Sequence, residues 1–171
     1  MIRSKQLSKA QALQKLRHYC SYQERCHAEV KEKLYSFGLY KQVVEECLSQ
    51  LIEENFLNEE RFAIQFAGGK FRMKQWGRQR IKQALKLKRV SEYCIRKGLQ
   101  AIDQEQYANT LKKLASRKWR SVKGPGITRF VKAQKTTNYL LQRGFEGELI
   151  RKTIADIADH ADHADHADHA D

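Results

Sequence analysis

The stretch LKLKRVSEYCIRKGLQAI, residues 85–102, decides the fold once it is set beside LYSFGLYKQVVEECLSQL at 34–51 and LLQRGFEGELIRKTIADI at 140–157. Each opens on a leucine: Leu34, Leu85, Leu140. Five residues on come Leu39, Val90 and Phe145. Nine and ten on come Val43–Val44, Cys94–Ile95 and Leu149–Ile150. Fourteen on come Leu48, Leu99 and Ile154, and seventeen on Leu51, Ile102 and Ile157. The periods, 51 and 55 residues, lie in the range of helical repeat modules.

The spacing also sets the local structure. Tyr22, Cys26, Val30 and Leu34 step by four, a helical stripe. Ser21 with Glu24 three residues later predicts a capping box that starts this helix, the hydroxyl taking a free N–H while the carboxylate reaches back. Gly38 and Gly144 sit where helices end in the left-handed conformation, and Arg89 holds that place in the second copy. There a side chain costs about 1–2 kcal/mol if the turn is left-handed, so that turn is expected to differ. The closing helices are predicted over 41–54, 91–102, with Ser91 as N-cap, and 146–157. Each copy has an opening helix: one over 8–19 with Leu13 and Leu16 inward; one from Asn58 with Phe62, Phe66 and Met73 on one side; one from Asp103 with Tyr107, Leu111, Leu114 and Ala115 at helical spacing. The Gly68–Gly69 pair inside the second of these implies close helix packing or a kink, because each Gly costs about 1 kcal/mol relative to Ala. Residues 122–128, with Gly124-Pro125-Gly126, form the clearest loop.

No segment alternates apolar and polar long enough for a strand. The predicted fold is therefore all-α, three tandem three-helix repeats of helix-turn-helix type over residues 1–56, 57–103 and 104–157. A low-complexity Asp-His-Ala tail without fixed structure follows over 158–171. One unit of this size has a marginal core, so stacking end to end predicts an elongated, curved body.

Composition narrows the function. The 171 residues are 41% hydrophobic, with no apolar run approaching the roughly 18 a membrane span needs, and the first twenty residues lack the apolar core of a signal peptide. The expectation is a cytoplasmic, monomeric protein. Cys20, Cys26, Cys47 and Cys94 form no CxxC pair and read as small core residues. No P-loop, GxGxxG, GxSxG or HExxH is present, and His18 and His27 have no motif partner. No catalytic residue, cofactor or metal site is expected. The plain reading of the repeat from Ala155 is low-complexity sequence without a role. Its functional readings are weak divalent-metal binding at His160, His163, His166 and His169, and a mobile polyanion that shields the body in cis.

That repeat masks the charge. The chain as a whole carries +13, but residues 1–154 hold 33 Lys and Arg against 14 Asp and Glu, a balance of +19. From Arg61 to Ser91 there are ten basic residues and no acid, and from Gln106 to Phe145 ten more and again none. Glu24 to Glu60, by contrast, contains nine Glu. Solvated helix faces balanced for solubility mix signs, so this segregation points to a polyanionic partner. The contact residues selected by clustering are a central strip, Lys70, Arg72, Lys74, Arg78, Arg80 and Lys82, and a second strip, Lys112, Lys113, Arg117, Lys118 and Arg120. Rings beside such cations can stack on single-stranded bases. Phe71 and Trp119 read as core, whereas for Trp76, in QWGRQR, core and stacking stay open.

Residues 57–102 carry an acidic-RFA start, Glu59-Glu60-Arg61-Phe62-Ala63, then Gly77, Arg80, Ile81 and Leu85 in a G-x-x-R-I-x-x-x-L pattern. This segment resembles the central repeat of the RecX family of bacterial recombination regulators. SYQERCHAEVKEKLYSFGL resembles the family's first repeat and YLLQRGFEGELI its last, so the resemblance covers about residues 9–157. Arg89, the Gly-Pro-Gly loop and the Asp-His-Ala repeat depart from the pattern. The resemblance implies tandem three-helix repeats and no catalytic residue. It also implies binding to the RecA recombinase in the groove of its filament on single-stranded DNA, and restraint of RecA activity in DNA repair and the SOS response. Two other readings remain: a sequence-specific helix-turn-helix regulator, disfavoured by the acidic first closing helix, and a helical repeat that binds nucleic acid without sequence preference.

Overall fold

The computed structural model describes the backbone of residues 6–167 and the side chains of residues 6–160. Among them are nine α-helices and no strand: α1 Lys9–Tyr22, α2 His27–Ser36, α3 Lys41–Glu53, α4 Glu59–Lys74, α5 Arg78–Leu87, α6 Glu92–Gln100, α7 Gln104–Ser121, α8 Arg129–Gln142 and α9 Gly147–Ala167. They fall in sequence into three sets of three.

The pattern that repeats is the chemistry of one turn. Gly38, Arg89 and Gly144 all have positive φ, 78°, 58° and 89°. The Gly38, Arg89 and Gly144 amides donate to the carbonyls of Tyr35, Lys86 and Leu141. In the second and third copies the next amide, on Val90 and Phe145, donates five residues back to Leu85 and Leu140, both at 3.2 Å. This is the Schellman closure, and its accompanying apolar pair is the leucine and the residue five after it. Leu34 with Leu39, Leu85 with Val90, and Leu140 with Phe145 are all buried. The second turn therefore does not differ: Arg89 takes the left-handed conformation.

Caps hold most helix starts. The Asn58 and Asp103 side chains accept from the Arg61 and Gln106 amides, each at 2.8 Å, and Ser91 accepts from Cys94. The capping box predicted at Ser21 and Glu24 is not formed. Ser21 lies in the last turns of α1, and α2 starts one turn later, where the Glu29 carboxylate accepts from the Cys26 amide at 3.1 Å. The later start places Cys26 in the core, leaves Tyr22 81% exposed, and frees Glu24 to pair with Arg61. Ser8 with Gln11 makes a capping box on α1.

Two compact units result. The first takes the chain up to Gly68 together with Lys82–Ala101; the second takes Gly69–Ile81 together with the chain from Ile102 onward. Their division passes between Gly68 and Gly69 inside α4, and again inside α5.

In the first unit Leu13, Leu16, Val30, Leu34, Val44, Leu48 and Leu51 pack into one core. Gly98 of α6 lies directly on the Ala63 backbone of α4, where a methyl group would collide with the Ala63 carbonyl. All four cysteines are buried in this unit, unpaired, and burial pushes the Cys20 thiol up to about 11. Several of its surface acids are paired in place. Arg17 grips Glu54 through two bonds of 2.7 Å, which with Gln50 hold that carboxyl at about 2. Lys9 pairs with Glu46, Lys31 with Glu45, and Lys88 with Glu29.

The second unit is built around Tyr107, which is 1% exposed. Its ring meets Phe71 and Phe145 at 5.6 and 5.2 Å, and its hydroxyl donates to Glu146 at 2.5 Å and accepts from the Arg78 amide at 3.0 Å. Burial and the Glu146 carboxylate push the phenol pKa upward. The start of α5 lies against the α8–α9 turn: the Gly77 amide donates to Arg143 at 2.8 Å and the Gln79 amide to Gly144 at 2.9 Å. A Cβ on Gly77 would overlap the Gly144 backbone, and one on Gly144 would overlap that of Arg80. Phe71 and Trp119 are core, as read. Met73 is not: it is 82% exposed, because the buried face of α4 follows Phe62, Ala63, Ala67 and Phe71.

α9 continues ten residues past its expected end at 157. Alanine at every third position has the highest helix propensity, nothing in the repeat breaks a helix, and Ala158 is still buried. Residues 168–171 of the expected tail lie outside the described residues.

Two stability predictions follow from the glycines and the strained turn. Gly69→Ala, which meets nothing within 4 Å, stabilises by about 1 kcal/mol, whereas Gly77→Ala destabilises by at least about 2 kcal/mol, both read by urea unfolding. Arg89→Gly relieves the left-handed strain and stabilises by about 1 kcal/mol; a variant no more stable than the parent would contradict a strained turn.

Candidate nucleic-acid interface

α7 is two-faced. Tyr107, Leu111, Leu114, Ala115 and Trp119 are buried. The helical period then sends Asn109, Lys112, Lys113, Ser116, Arg117 and Arg120 to the other side, where they line one shallow groove. Four cations thus share a face, and the sequence holds no acid from Gln106 to Phe145 to neutralise it. Arg120 also sits in the last turn of α7, where the helix dipole favours positive charge.

Of the second predicted strip, Lys112, Lys113, Arg117 and Arg120 are brought together in this groove. Lys118 is not; it is half-buried, with its ammonium 5.3 Å from the Tyr139 ring.

The central strip divides further. Arg72 and Lys74 are exposed in the last turn of α4. Lys70 and Arg80 flank Trp76, at 5.1 and 4.3 Å from its ring, and Arg80 also donates to the Gln142 carbonyl at 3.3 Å. Arg78 is committed inside the fold: its guanidinium lies 3.8 Å over Tyr107, donates to Gln104 at 2.9 Å and stands 3.7 Å from Glu146. Lys82 belongs to the first unit. Half-exposed Trp76 is therefore a ring held between two cations, while Trp119 is core.

Clustering by sequence left out the five other cations of the acid-free run over 106–145. Arg143 donates to the Lys74 carbonyl at 3.0 Å, Lys132 stands 5.8 Å from the Trp119 ring, Arg129 pairs with Asp159 at 3.2 Å, Lys123 follows α7 and Lys135 lies on α8. The signal was available, since the acid-free run continues through all five. Among the described residues no group of three His, Cys, Asp or Glu stands close enough to hold a metal ion, and no helix is long and apolar enough to cross a membrane. The side chains of His163, His166 and His169 lie outside the described residues.

Fold and surface together define an all-helical protein of tandem three-helix modules with a cationic helix face. The chain belongs to the RecX family: residues 58–99 match the model of the RecX second three-helix domain and residues 104–154 that of the third. The regulatory protein RecX of Clostridium perfringens strain 13 is 32% identical over 118 residues, 69% of this chain and 55% of its own. That of Halalkalibacterium halodurans is 30% identical over 141 residues, 82% and 52% of the two chains. This chain therefore spans about half the length of the curated relatives it matches. The crystal structure of RecX from Lactobacillus salivarius superposes with a TM-score of 0.80 at 21% identity, covering 87% of this chain and 96% of that one, a likeness of fold.

The setting of Trp76 is testable by fluorescence. Iodide, drawn by Lys70 and Arg80, quenches the emission more strongly than caesium does, and Trp76→Phe leaves only the blue-shifted, weakly quenched emission of Trp119. Equal quenching by the two ions would contradict the cationic flank.

Proposed function

We propose that this protein is a non-enzymatic regulator that binds the RecA–DNA filament and restrains recombinase activity, acting as a monomer in the cytoplasm. The observation that carries the reading is the α7 face, with Lys112, Lys113, Arg117 and Arg120 on one side and no acid nearby in sequence. Membership of a family of regulatory proteins supports it. In this mechanism the repeats follow the filament groove. The α7 face, with Arg72 and Lys74, meets phosphates of the bound single strand, and Trp76 offers a ring beside two cations. The Glu-rich first repeat takes the protein side. Ion pairs of Glu29, Glu45, Glu46 and Glu54 leave it less unmatched acid than its composition suggests, so it contributes by shape more than by net charge.

The competing reading is binding to nucleic acid alone, without RecA; the same cationic face favours it. Reading of duplex sequence by a closing helix is disfavoured, because α3 carries Glu45, Glu46 and Glu53.

Titration of a fluorescent single strand at two salt concentrations, with and without RecA, separates the two. The filament reading expects tighter binding to the RecA-coated strand and loss of strand exchange at sub-stoichiometric protein. Equal binding with and without RecA, and unchanged strand exchange, would overturn it. Replacing Lys113, Arg117 and Arg120 by Gln lowers the dependence of log affinity on log salt by about 2, at about 0.7 per phosphate contact.

A further inference from the structure

We propose that the pocket between α7 and α9 takes one unstacked base of a single-stranded nucleic acid, with the neighbouring phosphates on the cationic face of α7. This base site rests on the reading above and deepens it, since the strand whose phosphates α7 takes is the strand that supplies the base.

The pocket lies wholly within the second unit, where α9 packs along α7. Its volume is about 280 Å³, just under the roughly 300–1,000 Å³ of pockets for drug-sized ligands, and suits a single flat ring system. Burial sorts its lining. Tyr107 and Leu111 are buried and make the floor, while Leu149 stands at the wall, 37% exposed. The same place in the two earlier repeats is closed: Val43 is half-buried against its core and Cys94 is buried. The third repeat thus leaves an apolar side chain uncovered at this position, and that side chain lines a cavity.

The rim selects the occupant. Gln104 and Asn109 are exposed amides, each offering donors and an acceptor to the edge of a ring. Asp156 accepts from an exocyclic amino group, which adenine, cytosine and guanine carry and thymine lacks. Lys112 of α7 and Lys152 of α9 supply a cation on each helix. An apolar floor under a rim of amides and ammonium groups fits an aromatic base carried on a phosphate chain.

Continuity with the cationic face is direct. Asn109 and Lys112 line both this pocket and the groove of Lys113, Arg117 and Arg120. A strand laid along that groove passes the mouth of the pocket without leaving the cations. A base that is already unpaired costs little to draw out of its stack, whereas a base in a duplex must first be unpaired. The pocket therefore adds a preference for single strands that phosphate contacts alone do not give.

The test places one 2-aminopurine, a fluorescent base with an exocyclic amino group, in an oligothymidine. Its quenching by acrylamide is followed with the strand bare and with the strand coated by RecA. The full chain is expected to bind and to remove most of the quenching, beyond any shielding by RecA itself. Ala108→Phe, at an exposed position that lines the pocket, fills it and removes no charge. The variant is expected to bind about tenfold more weakly, to lose the shielding and to keep the parent's dependence of affinity on salt. Ala108→Leu repeats the measurement with a smaller side chain. Binding by the parent without shielding overturns the pocket and leaves the phosphate face standing. Shielding and affinity unchanged in both variants overturn it equally. Absence of binding to either strand overturns the pocket together with the reading on which it rests.

Discussion

The second unit depends on two stretches of backbone approaching more closely than any side chain permits. Gly77, at the start of α5, lies on Gly144, at the turn between α8 and α9, and two amide-to-carbonyl bonds hold them together. With Gly77 fixed, the Arg78 amide faces the Tyr107 hydroxyl, and that hydroxyl reaches Glu146. The ring of Tyr107 then fills the space between Phe71 and Phe145. A chain of backbone and side-chain contacts thus leads from one glycine pair to the centre of the core. The buried phenol has both its donor and its acceptor satisfied, which a polar group at that depth requires.

The same geometry explains the motifs by which the family resemblance is read. In the G-x-x-R-I-x-x-x-L segment, Gly77 permits the approach, Arg80 presents its backbone to Gly144, and Ile81 and Leu85 are fully buried. In the acidic-RFA segment, Glu59 accepts from the Ser91 amide, Arg61 bridges Glu24 and Asn55, Phe62 is core, and Ala63 lies beneath Gly98. The motif residues are spent on packing. The cations left to touch a partner lie largely outside them, on the open face of α7 and at the end of α4.

Much of the fold is legible in the residues because the Schellman turn imposes both a glycine-like position and an apolar pair at fixed offsets, and these recur three times. Arg89 shows the limit: composition alone cannot tell whether neighbouring contacts outweigh the strain of a left-handed side chain, and here they do. The start of α2 was misread because Ser21–Glu24 and Cys26–Glu29 are both plausible local starts, and burial of a cysteine decides between them. Met73 keeps the helix face of Phe62 and Phe66, as its spacing says, but the buried face of α4 turns around the helix through Ala63 and Ala67 to Phe71 and leaves Met73 behind. At the site, clustering located the α7 face. It could not separate Arg78, drawn inward by Tyr107 and Glu146, from neighbours on the surface, since nothing in the order of residues records which charges find internal partners.

The placement of the thiols has a practical consequence. Cys20, Cys26, Cys47 and Cys94 all lie in the first unit, each buried and each with its ionisation suppressed by burial. A thiol-specific alkylating reagent therefore meets nothing reactive in the closed molecule, and the rate at which it modifies the chain becomes a clock for transient opening of that unit alone. The other unit keeps no such clock, so a single chemical label distinguishes which half of the molecule breathes.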